Sequence, residues 1–156
     1  MSPVNKEENY IKCADNIKAL IAGENDTIAI MSTIACEIFH PFDYLNWVGF
    51  YRHIDEKTLK VGPYQGSHGC LTIDFERGVC GACASQREIQ LENDVSKASS
   101  HIACSSETKA EIVLPIIDKN NQLQAVFDID STELNVFDDI DVKYLSQICS
   151  WLSDKY

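Results

Sequence analysis

The chain has 156 residues, enough for one domain whose hydrophobic core needs no staples. Its 45% apolar and 24% charged content is that of a soluble globular protein, and 13 basic against 24 acidic side chains leave a net charge of −11. Such a surface repels nucleic acid and anionic membrane, so neither is an expected partner.

Asn5 to Ala22 carries Tyr10, Ile11, Ala14, Ile17 and Ile21 at a helical period, closed by Gly23. Asp26 caps a second helix from Thr27 to about His40, nearly all apolar and stopped by Pro41. Leu45 to His53 is aromatic and alternating, a strand. Asp55-Glu56-Lys57 turns it into a partner over Thr58 to Tyr64, and Leu71 to Asp74 is a short third strand. Val79 to Ser85 reads as a short helix, Glu88 to Leu91 as a short strand, and the polar Asn93 to Lys109 as a long functional loop. Glu111 to Ile117 and Leu123 to Asp130 form a hairpin across Asp118 to Asn121, and Phe137 to Tyr156 is an amphipathic helix. The expected fold class is α+β, with about six antiparallel strands, terminal helices packed on one face and a ligand pocket on the other.

Met1 to Glu8 has no basic stretch followed by an apolar core, and no run approaches the roughly 20 apolar residues of a membrane helix. A cytoplasmic location is therefore expected, where thiols stay reduced. Seven cysteines, an odd number, do not make a fully paired disulfide framework. Cys13, Cys36 and Cys149 fall on apolar helix faces and behave as small hydrophobes. Cys70, Cys80, Cys83 and Cys104 cluster in the middle third, mostly among Gly, Ala, Ser and His, where a small ligand can reach sulfur.

Three readings of that cluster compete. Cys80-Gly-Ala-Cys83 with Cys70 and Cys104 offers four thiolates to zinc, but a structural zinc site usually has a second close pair of ligands. A dithiol redox pair in C-x₂-C belongs after a strand of a parallel sheet, a pattern absent here. The third is a nucleophilic thiolate that attacks an oxidised substrate, becomes a sulfenic acid and condenses with a second thiol. Cys104, three residues after His101 in the long loop, suits attack; Cys70 and Cys80 suit resolution. Spacing alone puts this reading only slightly ahead of inert thiols.

Asp128 and Asp130 project from one strand face, and Glu111 converges on them across the hairpin. They are either a solvated strand end or a buried acid cluster able to bind an ammonium or a metal, or to donate a proton. Trp47 and Tyr51 share a face and either wall a pocket or belong to the core. His40 is a helix-end residue, and His53 and His68 are expected at the surface.

Taken together, these residues resemble the free methionine-(R)-sulfoxide reductases, single GAF-type domains. The likeness lies in Asn46 to Tyr51, Val61 to Gly66, Arg77 to Gly81, His101 to Cys104, Glu111 to Pro115 and Asp128 to Ser131, and runs from about residue 5 to the end. It implies one GAF-type domain over residues 1–156, with Cys104 as nucleophile, Cys70 as resolving cysteine and Cys80 as a second redox cysteine. Glu111, Asp128 and Asp130 would bind substrate, and Trp47 and Tyr51 would line its pocket. The implied substrate is free L-methionine (R)-sulfoxide, reduced without cofactor or metal and with thioredoxin as reductant; a homodimer is compatible with the family. Buried acids then filter for an α-ammonium that a peptide-bound residue lacks. Cys83, Ser67-His68-Gly69 and Ala110 depart from the family pattern. A non-catalytic GAF-type sensor of a small molecule or of oxidation is the alternative, and a zinc-stabilised binding module a further one.

Overall fold

A computed structural model describes residues 1, 3–98 and 106–156. In chain order the elements are α1 (Pro3–Leu20), α2 (Thr27–Phe39), β1 (Leu45–Asp55), β2 (Thr58–Gly66), β3 (Thr72–Asp74), α3 (Gly78–Gln86), β4 (Gln90–Glu92), β5 (Ala110–Ile117), β6 (Leu123–Ser131) and α4 (Asp139–Ser153). The described strands form one antiparallel sheet in the order β3-β2-β1-β6-β5-β4. The expected elements are all present with shifted ends, and the long loop contains a short 3₁₀ turn at Val95–Lys97.

Local chemistry explains the ends. Asp26 accepts the amide of Ala29 at 2.9 Å and starts α2 where it was expected. α4 begins at Asp139 rather than Phe137, because Asp138 and Asp141 form a reciprocal capping box. The β5–β6 turn is tied by Asp118, whose carboxylate accepts the amides of Asn120 and Gln122 at 2.8 and 2.9 Å.

The sheet divides two cores. On one face α1, α2 and α4 bury Tyr10, Ile17, Ile34, Ile38 and Leu145 against Val48, Phe50, Leu114 and Phe127. On the other face α3 covers Trp47, Tyr51, Val113 and Val126 with Val79, Cys80 and Cys83. Leu45 and Trp47 are two apart yet belong to opposite cores. The register of β1 on β6 slips between them, and this irregularity turns Trp47 away from the helical layer.

α3 approaches the sheet closely through Gly81. A Cβ there would lie 2.6 Å from the carbonyl oxygen of Asp74 and 2.8 Å from that of Phe75. Gly81, one of two small residues between Cys80 and Cys83, thus serves helix packing.

Candidate active site

Strand register assembles the site. Trp47 on β1 pairs with Asp130 on β6, and Asp130 pairs in turn with Glu111 on β5. Asp128 sits one inward-facing position along, between Gly49 and Val113. Cross-strand partners share a face, so Trp47, Tyr51, Glu111, Asp128 and Asp130 converge as expected. Together with Cys80 they line one pocket, partly open to solvent.

The acids are not a solvated strand end. Glu111 is 7% and Asp128 5% exposed. Burial first, and then the negative charge of Asp128 and Asp130, push the Glu111 carboxyl well above its usual range. Burial also raises Asp130, with Asp128 adding to it. Asp128 is raised by burial to about 7, held back by hydrogen bonds from Cys80 and Glu111. Of this hydrogen-bonded pair Glu111 is the group pushed further towards its protonated form, the form that donates to Asp128. The second oxygen of Asp128, Oδ1, is buried without a partner, as is the indole Nε1–H of Trp47. An unmatched buried carboxylate oxygen is free to accept a hydrogen bond from a ligand or water.

Trp47 stacks with Tyr51 (centroids 5.4 Å apart, planes 21°) and with Tyr64 (5.3 Å, 18°). The stack requires Gly49, where a Cβ would meet the Trp47 ring at 2.6 Å and Tyr64 Cβ at 2.3 Å. Tyr64, missed in sequence because it lies on another strand, fixes the indole without lining the pocket.

The cysteines separate by surroundings. Cys80 opens onto the pocket floor, its Sγ 3.9 Å from Oε1 of Glu111. Burial and three neighbouring carboxyls push its thiol well up, which keeps it protonated. Cys83, one helical turn on, is fully buried and points its thiol at the Val113 carbonyl, 3.6 Å away. Cys70 is disulfide-bonded, whereas Cys13, Cys36, Cys80, Cys83 and Cys149 are free. The C-x₂-C pair is thus not closed into a disulfide. Cys104 and His101 lie outside the described residues.

His53, expected at the surface, is half-buried: its Nδ1 lies 2.9 Å from the Leu123 carbonyl and its ring packs on Phe75. His68 is exposed as expected, yet it lines the pocket with Gly69, Arg77 and Thr108. None of these four carries a local signal; the fold brings them there from three connecting segments. His40 ends α2, with Nδ1 2.8 Å from the Cys36 carbonyl.

A family model described as GAF domain matches residues 23–153. The chain is 41% identical over 154 residues to GAF domain-containing protein A of Dictyostelium discoideum, covering 99% of this chain and 96% of that protein. It is 37% identical over 158 residues to the free methionine-R-sulfoxide reductase of Saccharomyces cerevisiae, covering 97% and 88%. The solved free methionine-R-sulfoxide reductase of Neisseria meningitidis, in complex with its substrate, is similar at a TM-score of 0.90 and 32% identity, covering 99% of this chain and 92% of that one. With the family match and these relatives in agreement, this chain belongs to the free methionine-R-sulfoxide reductase family of GAF domains.

Proposed function

We propose that this chain reduces free L-methionine (R)-sulfoxide to L-methionine with cysteine as the reducing group. The observation that carries the reading is the buried carboxyl cluster beneath an aromatic wall, with Asp128 Oδ1 unmatched. The α-ammonium of a free amino acid supplies the missing donor; a peptide-bound methionine sulfoxide has an amide there and leaves the carboxylate unpaired.

In the proposed reaction the Cys104 thiolate attacks the sulfoxide sulfur. The S–O bond breaks as the oxygen moves to Cys104, giving a sulfenic acid and methionine; the substrate sulfur gains two electrons and the cysteine sulfur loses two. Glu111, the acid that holds its proton, supplies it to the oxygen as charge develops there. Cys70 then condenses with the sulfenic acid, releasing water and forming a disulfide that thioredoxin reduces. The disulfide at Cys70, with the five other described cysteines free, supports the resolving role. Cys80, deep and protonated, fits a reserve thiol that shapes the floor better than a first nucleophile.

The test is release of methionine from free (R)-, free (S)- and peptide-bound sulfoxides supplied separately with dithiothreitol. Turnover of free (R) alone is expected. No turnover of any sulfoxide would overturn the enzyme reading and leave a GAF-type sensor. In single-turnover experiments Cys104→Ser abolishes the first methionine, whereas Cys70→Ser releases one equivalent and fails with thioredoxin. The converse result would exchange the two roles.

A further inference from the structure

The pocket floor brings together three ligand atoms from separate elements: Cys80 Sγ from α3, a Glu111 oxygen from β5 and an Asp128 oxygen from β6, all within 4.8 Å of one another. A tetrahedral zinc ion, with Zn–S about 2.3 Å and Zn–O about 2.1 Å, sets its sulfur and oxygen ligands about 3.6 Å apart. Cys80 Sγ and Glu111 Oε1 stand 3.9 Å apart. For that pair a contraction of about 0.3 Å reaches tetrahedral spacing.

A second observation points the same way. Asp128 Oδ1 is buried and has no hydrogen-bond partner, on a side chain that lines the pocket. The backbones are pinned by the pairs Glu111 with Asp130 and Val113 with Asp128, so the two acids are held in place before anything binds. The pocket is partly open to solvent, which gives an ion an entry path, and three protein ligands would leave a fourth position for water.

We propose that Cys80, Glu111 and Asp128 form a binding site for a thiophilic divalent cation of the zinc class, and that the bound ion excludes the substrate ammonium. One sulfur and two oxygens suit zinc or cadmium, whereas calcium and magnesium call for an all-oxygen shell of higher coordination number. Loading the ion breaks the S–H bond of Cys80 and displaces the proton that Glu111 shares with Asp128, so two protons pass to buffer; no electron is transferred. The exclusion half of the inference rests on the sulfoxide-reductase reading, whereas the binding half stands without it.

The experiment uses the full chain with the Cys70 disulfide kept oxidised. Cadmium is titrated while the thiolate-to-cadmium charge-transfer band is followed, and zinc is titrated by calorimetry. One equivalent is expected to bind, with affinity at least tenfold lower in Cys80→Ser and in Asp128→Asn, and unchanged in Cys36→Ser and Cys83→Ser. Near-ultraviolet circular dichroism checks that each variant is folded. As a second readout, zinc raises the melting temperature of the parent protein but not of Cys80→Ser. A full charge-transfer band in Cys80→Ser, or its loss in Cys36→Ser, would overturn the site. For exclusion, free cadmium is fixed with a metal buffer: L-methionine lowers occupancy, and N-acetylmethionine, which lacks the ammonium, does not. Equal effects of the two would overturn exclusion alone. Cadmium binding as expected, in a protein that turns over no sulfoxide, would overturn the enzyme reading and leave the metal site standing.

Discussion

Glu111 and Asp128 face the same pocket and differ in what each carboxyl shares with its neighbours. Burial and neighbouring negative charge push Glu111 up, whereas hydrogen bonds from Cys80 and Glu111 hold Asp128 back. Replacing Glu111 with Gln keeps the shape and removes the transferable proton, so kcat should fall by ~10²-fold or more with KM little changed. Stopped single-turnover assays check this, and a loss below tenfold would exclude Glu111 as the donor. Asp128→Asn instead removes the charged partner of the ammonium. A charge-assisted hydrogen bond contributes about 1.5–3 kcal/mol, so KM should rise about 10- to 100-fold. A KM equal to that of the parent enzyme would place the ammonium elsewhere. Asp128 and Asp130 could be assigned to one face from sequence, since strand side chains alternate with a period of two. Their burial could not, because it comes from α3 folding over them.

At the scale of elements, α1 is locked onto α4 by Lys6. Its ammonium reaches the Val136 carbonyl at 2.7 Å, Asp138 at 3.0 Å and Asp141, and Tyr10 donates to the other oxygen of Asp141 at 2.7 Å. Asp141 is completely buried. Lys6→Met would strand its charge, a loss of about 3–5 kcal/mol in denaturant unfolding with KM unchanged. Gly81→Ala acts on the other face of the sheet. Its new Cβ would press on two backbone carbonyls at the end of β3, moving α3 and with it Cys80. About 1–3 kcal/mol of stability should be lost, with methionine release impaired as well. Unchanged activity would mean that the position of α3 does not matter to the site. The sequence showed α3 as a short helix, but its docking depth depends on Asp74 and Phe75, which belong to a preceding segment.

For the whole molecule, the sheet keeps a dry helical layer apart from the reactive layer. Ile34 is fully buried in the first and makes no part of the pocket. Ile34→Ala should therefore cost about 2–5 kcal/mol and lower the melting temperature, with KM for the sulfoxide preserved. A matching rise in KM would show that the layers are coupled through the sheet.

Element order, the caps at Asp26 and Asp138, the hairpin at Asp118 and the shared face of Asp128 and Asp130 all follow from patterns within a few residues. Local backbone chemistry suffices for them. The slip that sends Leu45 and Trp47 to opposite cores, the half-burial of His53, the stacking of Tyr64 and the different fates of Cys80 and Cys83 required the folded chain. Each depends on partners tens of residues away, and burial, hydrogen bonding and charge coupling arise only when those partners meet.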